Sequence, residues 1–149
     1  MKMSAIGRLV VAAAALAALA SCAGYEPTSG EPGLVRGVVE YHGTRTGPLR
    51  VGAFPSFPPR GRPFVMQTID HPVFPQAYEL RDVPEGRWFV LAIVDTNVEN
   101  GDRYRAAEDP GGAFGAYTLP MPVTVGLTQG AGAVDVELAD PSPSSPYLR

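Results

Sequence analysis

This sequence predicts an all-β fold, a single sandwich of seven short strands, and three observations carry that prediction. No segment sustains a 3.6-residue apolar period, whereas several alternate apolar and polar residues with period two. Gly and Pro stand at the joins between those segments, and almost all of the 16 prolines sit there, where a missing N–H costs no ladder bond. The stretch from Gly33 to Ala139 is about 107 residues long, enough for one domain around one core.

The expected strands, in order, begin with Leu34 to Tyr41, Leu49 to Phe54, Phe64 to Ile69 and Tyr78 to Val83, each bounded by turn residues. Arg87 to Asp95 is nearly all apolar and rich in β-branched and aromatic residues (Trp88, Phe89, Val90, Ile93, Val94), which suits a central strand covered on both faces. Met121 to Leu127 starts between Pro120 and Pro122, so it belongs at a sheet edge. Ala133 to Ala139 has the clearest alternation, with Val134, Val136 and Leu138 facing one way and Asp135 and Glu137 the other.

The N-terminal segment has a different character. Lys2 and Arg8 precede an unbroken apolar run from Leu9 to Ala20, and small residues stand directly before Cys22, the layout of an export signal. A run of about twelve residues is too short to cross roughly 30 Å of hydrocarbon. Leu19-Ala20-Ser21-Cys22 resembles the bacterial lipobox residue by residue. The resemblance implies cleavage before Cys22 and lipid attachment through its sulfur, and hence a membrane partner. It further implies the cell envelope: the outer membrane in a Gram-negative host, with which Ala23 is compatible, and otherwise the outer face of the cytoplasmic membrane.

The expected organisation is a signal peptide over 1–21, a lipidated flexible tether over 22–32, the sandwich over 33–139 and a disordered tail over 140–149. Cys22 is the only cysteine, so an intrachain disulfide cannot form. Removal of Lys2 and Arg8 leaves ten arginines against 15 acids, a side-chain charge of −5 with no lysine. An acidic chain without a basic cluster argues against nucleic acid, whose binding requires cations that displace counterions from phosphate.

Tyr78 to Ala92 (YELRDVPEGRWFVLA) resembles the signature hairpin of carboxypeptidase regulatory-like domains, members of the transthyretin-like or prealbumin-like sandwich group. Pro84 presets φ for the turn, Gly86 supplies a conformation other residues avoid, and Val83 and Trp88 close the core beneath. Val35 to Val39 is similar to the opening strand of the same domains. The resemblance implies a prealbumin-like sandwich and an accessory, adhesive or carbohydrate-handling role, but it speaks to fold more than to function. The transthyretin-like hydroxyisourate hydrolases end in Tyr-Arg-Gly-Ser/Thr and use several histidines, whereas this chain ends Pro146-Tyr147-Leu148-Arg149 and has only His42 and His71. The isopeptide lock of collagen-adhesin domains needs a lysine, which the processed chain would lack.

Two regions carry candidate chemistry. Asp95, Asn97, Asp102 and Asp109 place side-chain oxygens along one connection, as a calcium loop requires, although the register departs from an EF-hand. The alternative is a solvated turn whose Asn, Asp and Gly supply capping and left-handed conformations. Phe54, Phe57 and Phe74 lie in two proline-rich connections and form either a surface for an envelope protein or glycan, or caps on the sandwich ends. His42 and His71 have no neighbours resembling a metal or nucleophile motif. The expected function is a lipid-anchored binding or structural accessory module without catalysis, needing no cofactor except possible calcium. The rival is a small envelope hydrolase or glycan-processing enzyme with a site assembled from distant residues.

Overall fold

A computed structural model of the chain describes residues 30–100, 105, 107–116 and 118–141. The signal segment with Leu19, Ala20 and Ser21, then Cys22, Asp102 and residues 142–149 lie outside the described residues. The fold is all-β. The described residues form ten strands and one 3₁₀ turn, Val98–Asn100, with no α-helix.

The smaller sheet has β1 (Val35–Tyr41) at its centre, antiparallel to β4 (Gln76–Leu80) and parallel to β10 (Val136–Leu138). The larger sheet runs β3 (Val65–Ile69), β2 (Leu49–Phe54), β5 (Gly86–Val94) and β6 (Gly111–Ala113). β6 pairs with Leu91 to Ile93, while β9 (Val123–Val125) pairs with Gly86 to Trp88, so the two lie end to end along one edge of β5. Between them the chain leaves as a hairpin of β7 (Gly115–Ala116) and β8 (Leu119–Pro120). The hairpin is closed at its base by Phe114 N–H on Val90 O at 3.0 Å and Met121 N–H on Phe114 O at 2.8 Å.

The core forms where the alternating positions of the two main sheets meet. Val35, Val39, Tyr41, Tyr78, Leu80, Val136 and Leu138 from the smaller sheet pack with Leu49, Val51, Ala53, Trp88, Val90, Ala92 and Val94 from the larger. Val134, Val136 and Leu138 are buried in the alternation that the sequence predicts. At about 1.5–3 kcal/mol per fully buried side chain, these three contacts hold a strand too short to pair stably by itself. The hairpin turn is built as its residues require. Val83 and Trp88 are buried, Asp82 and Gly86 take positive φ of 61° and 144°, and Val83 N–H donates to Gly33 O at 2.9 Å.

One expectation is corrected. Seven strands become ten, because Gly111 to Ala113 forms β6 where a polar loop was expected and the β7–β8 hairpin follows it. A glycine strand carries no apolar period, yet here glycine is what the packing needs: a Cβ on Gly112 would lie 2.1 Å from Glu137 O. Gly111 and Ala139 exchange N–H bonds at 3.1 Å in both directions, joining the two sheets at this corner. Asp135 faces outward, as expected, and its Oδ1 accepts Val38 N–H at 2.9 Å; nearby Ala133 takes a φ of 51°. At the start of the described residues, Gly30 O accepts Gly130 N–H at 3.1 Å and Glu31 O accepts Leu34 N–H at 3.0 Å.

Candidate functional site

The two ends of the sandwich are chemically unlike. At the C-terminal end of β5 the register sets Leu49 opposite Val94 and Arg50 opposite Ile93, so Arg50 on β2 is the diagonal neighbour of Asp95. Arg50 donates to Asp95 Oδ2 through Nη2 at 3.0 Å and Nε at 3.2 Å, while Asn97 N–H donates to Oδ1 at 3.1 Å. Asp109, at the far side of the same connection, accepts Thr96 N–H at 3.0 Å and Thr96 Oγ1–H at 2.8 Å on Oδ1, and Arg105 N–H at 2.8 Å on Oδ2. Asp95 is 3% exposed and Asp109 2%. Burying a carboxylate costs several kcal/mol unless its oxygens find donors; here every carboxylate oxygen has one.

A second polar cluster sits beside this knot. Tyr41 donates its hydroxyl proton to Asp140 Oδ1 at 2.5 Å and accepts Arg45 N–H at 3.3 Å, and Arg45 Nη1 donates to Glu108 O. Burial, and then the hydrogen bond to the Asp140 carboxylate, push the Tyr41 phenol above its ordinary value.

Asp102 lies outside the described residues, and within them the Asp95 carboxylate caps the turn through Asn97 N–H. Asp95 and Asp109 are not solvated, and Oδ2 of Asp95 faces a guanidinium that a cation would have to displace. Asn97 contributes its backbone N–H to the knot. Among the described residues, no three His, Cys, Asp or Glu side chains converge as a metal site.

The opposite end is aromatic. Phe54 lies across from Phe89, and the Phe57 ring sits 6.0 Å from the Phe89 ring. Phe64 packs at 5.3 Å on Trp88, whose Nε1–H donates to Pro84 O at 2.8 Å. Phe54 and Phe57 are half-buried, whereas Phe64 remains 62% exposed. The apolar character continues over the outer face of the larger sheet. Gly52 stands between Met66 and Leu91, with Pro63 so close that a Cβ on Gly52 would lie 2.8 Å from its Cβ. Of the three aromatic residues singled out in the sequence, the structure brings Phe54 and Phe57 together. Phe74 is elsewhere, edge-on to Tyr41 at 5.5 Å and packed against the core, where it serves as a cap.

Sequence reasoning missed the donors Arg50, Thr96 and Arg105, and the exposed Phe64. Arg50 did leave a signal, as the one charge in an otherwise uncharged strand, but naming its partner requires the β2–β5 register. His42 and His71 are exposed, and His42 Nε2 is 3.9 Å from Glu40 Oε2. No protein-family model, curated protein or solved structure matches this chain.

Proposed function

We propose that this chain is a lipid-anchored cell-envelope protein whose β-sandwich-like domain serves as a binding or structural accessory module. The observation that carries the reading is Leu19-Ala20-Ser21-Cys22 behind a short apolar run, since a lone cysteine at a cleavage position suits thioether attachment of a diacylglycerol. Two or three acyl chains on one residue suffice for stable anchoring, at about 0.8 kcal/mol per buried CH₂.

The architecture supports a prealbumin-like assignment when β6 and β9 are counted as one broken edge strand. The larger sheet then has four strand positions and the smaller three, seven in all. A binding role is supported by the aromatic and proline-rich connection at one end, whose rings are held by Phe89 and Trp88 and lose little freedom on contact. The buried carboxylates lend no support to hydrolysis, because both are engaged by protein donors.

Metabolic labelling with an alkyne fatty acid tests the anchor: wild type incorporates label and Cys22→Ser does not. Equal labelling of the two overturns the reading. Crosslinking and pull-down of the anchored protein from envelope extract then identifies what the module holds.

A further inference from the structure

The strand register collects three connections, β2–β3, β4–β5 and β9–β10, at the end of the sandwich where the described chain begins. β5 starts there at Gly86, opposite Val125, and β2 ends there at Phe54, opposite Phe89. β4 ends there as well, with Leu80 opposite Val35 at the start of β1. The turn after β9 is closed by Gly126 N–H on Gln129 O at 2.9 Å, and Gly130 N–H reaches Gly30 O at 3.1 Å. Gly30 thus adjoins the turn that carries Leu127, and the connection between β2 and β3, from Pro55 to Phe64, belongs to the same end.

Leu127 is 77% exposed and Phe64 62%. Arg60 and Arg62, both exposed, lie between Phe57 and Phe64, and no Asp or Glu occurs from Tyr41 to Ile69. The acids at this end, Glu31, Asp82 and Glu85, belong to other connections, and Arg81 lies 3.6 Å from Glu31. Cys22 is eight residue steps from Gly30, and covalent geometry limits that reach to about 28 Å. A domain tied so close to its anchor meets the bilayer first with the end at which the tether joins.

We infer that this end is a second membrane contact, in which Leu127 and Phe64 enter the headgroup layer of the bilayer that holds the lipid on Cys22, with Arg60 and Arg62 against lipid phosphates. The inference rests on lipidation of Cys22. Apolar side chains flanked by arginine are the composition of an interfacial contact, and a tether to the same surface removes most of the cost of bringing the two together. The contact also fixes orientation: the knot end, with Val73 at its tip, points away from the membrane.

With Cys22 acylated, an introduced cysteine is the only free thiol. The full-length lipidated protein carrying Leu127→Cys, Thr128→Cys or Val73→Cys is labelled with a polarity-sensitive fluorophore and reconstituted on phosphatidylethanolamine and phosphatidylglycerol vesicles. Positions 127 and 128 are expected to lose iodide quenching and gain quenching by spin-labelled lipid. Position 73, equally exposed in the fold at 77%, keeps its iodide quenching. Flotation with all three positions equally open to iodide overturns the inference alone, and is the result expected if this end serves a protein partner. Loss of flotation together with two titratable thiols overturns the lipidation and this contact with it.

Discussion

The two ends of β5 solve different physical problems. At Val94 the chain turns into a connection whose carboxylates are sealed inside, each oxygen matched by Arg50, Asn97, Thr96 or Arg105. At the Gly86 end the rings of Phe57 and Phe64 pack on Phe89 and Trp88 of β5 yet stay partly open. Hydrogen bonds made inside a protein are directional and leave their atoms committed, whereas apolar stacking leaves the outer surface of each ring available. The first end is therefore suited to holding geometry and the second to meeting another surface.

Substitutions can break this comparison, and the largest expected effect is at the knot. Asp95→Ala strands the Arg50 guanidinium without its carboxylate, and chemical denaturation is expected to show a loss of about 3–5 kcal/mol. Replacing both partners with apolar residues, Asp95→Leu with Arg50→Met, should return most of that loss. A single substitution costing under about 1 kcal/mol would mean that the pair holds nothing. Trp88→Ala tests the opposite end on a similar scale, about 3–5 kcal/mol, because the indole is buried beneath Phe64 and bonded to Pro84.

Asp109→Ala comes next. It leaves the Thr96 and Arg105 N–H groups without their acceptor, at about 1–3 kcal/mol. Amide exchange at Thr96 should accelerate in this variant while exchange at Val90, in the centre of the core, does not.

Tyr41→Phe removes the hydrogen bond to Asp140 and the one from Arg45 N–H, about 1–2 kcal/mol together near neutral pH. Its pH dependence has a definite sign. A phenol whose folded-state pKa lies above its ordinary value near 10 contributes stability that is fully present below that value and is lost as pH rises through the folded pKa. Wild type should therefore lose stability more steeply than Tyr41→Phe above about pH 10, and parallel alkaline melts would contradict the assignment.

The smallest effects sharpen the contrast. Phe64→Ala should change stability by about 0.5 kcal/mol or less, as exposed substitutions do, while abolishing contact-dependent readouts at the tether end. Melts in excess EDTA and in millimolar CaCl₂ should superimpose, because the Asp95 and Asp109 oxygens already have protein donors. A calcium-dependent rise in melting temperature would instead place Asp102 and its neighbours in a cation site with them.

By itself the sequence determined the all-β class and the position of each main segment. Alternation such as Val134, Val136 and Leu138 reports a buried face directly, and Pro84 with Gly86 reports a turn through their own backbone preferences. The resemblance of Leu19 to Cys22 to a lipobox is likewise a local signal, read without any fold. Tertiary structure decided the rest. β6 was invisible because Gly111 and Gly112 carry no apolar pattern; they pair with β5, and the close approach of Gly112 to Glu137 of β10 is a property of the neighbour rather than of glycine. The knot was legible as carboxylates but not as a knot, since Asp95 meets Arg50 only through the register of β2 on β5, and Asp109 meets Thr96 only through the closure of their connection. Phe54, Phe57 and Phe74 looked alike in sequence, and the fold separated them because only two share an end of the sandwich. Local patterns specify what a residue can pair with; the chain's path through space selects the partner.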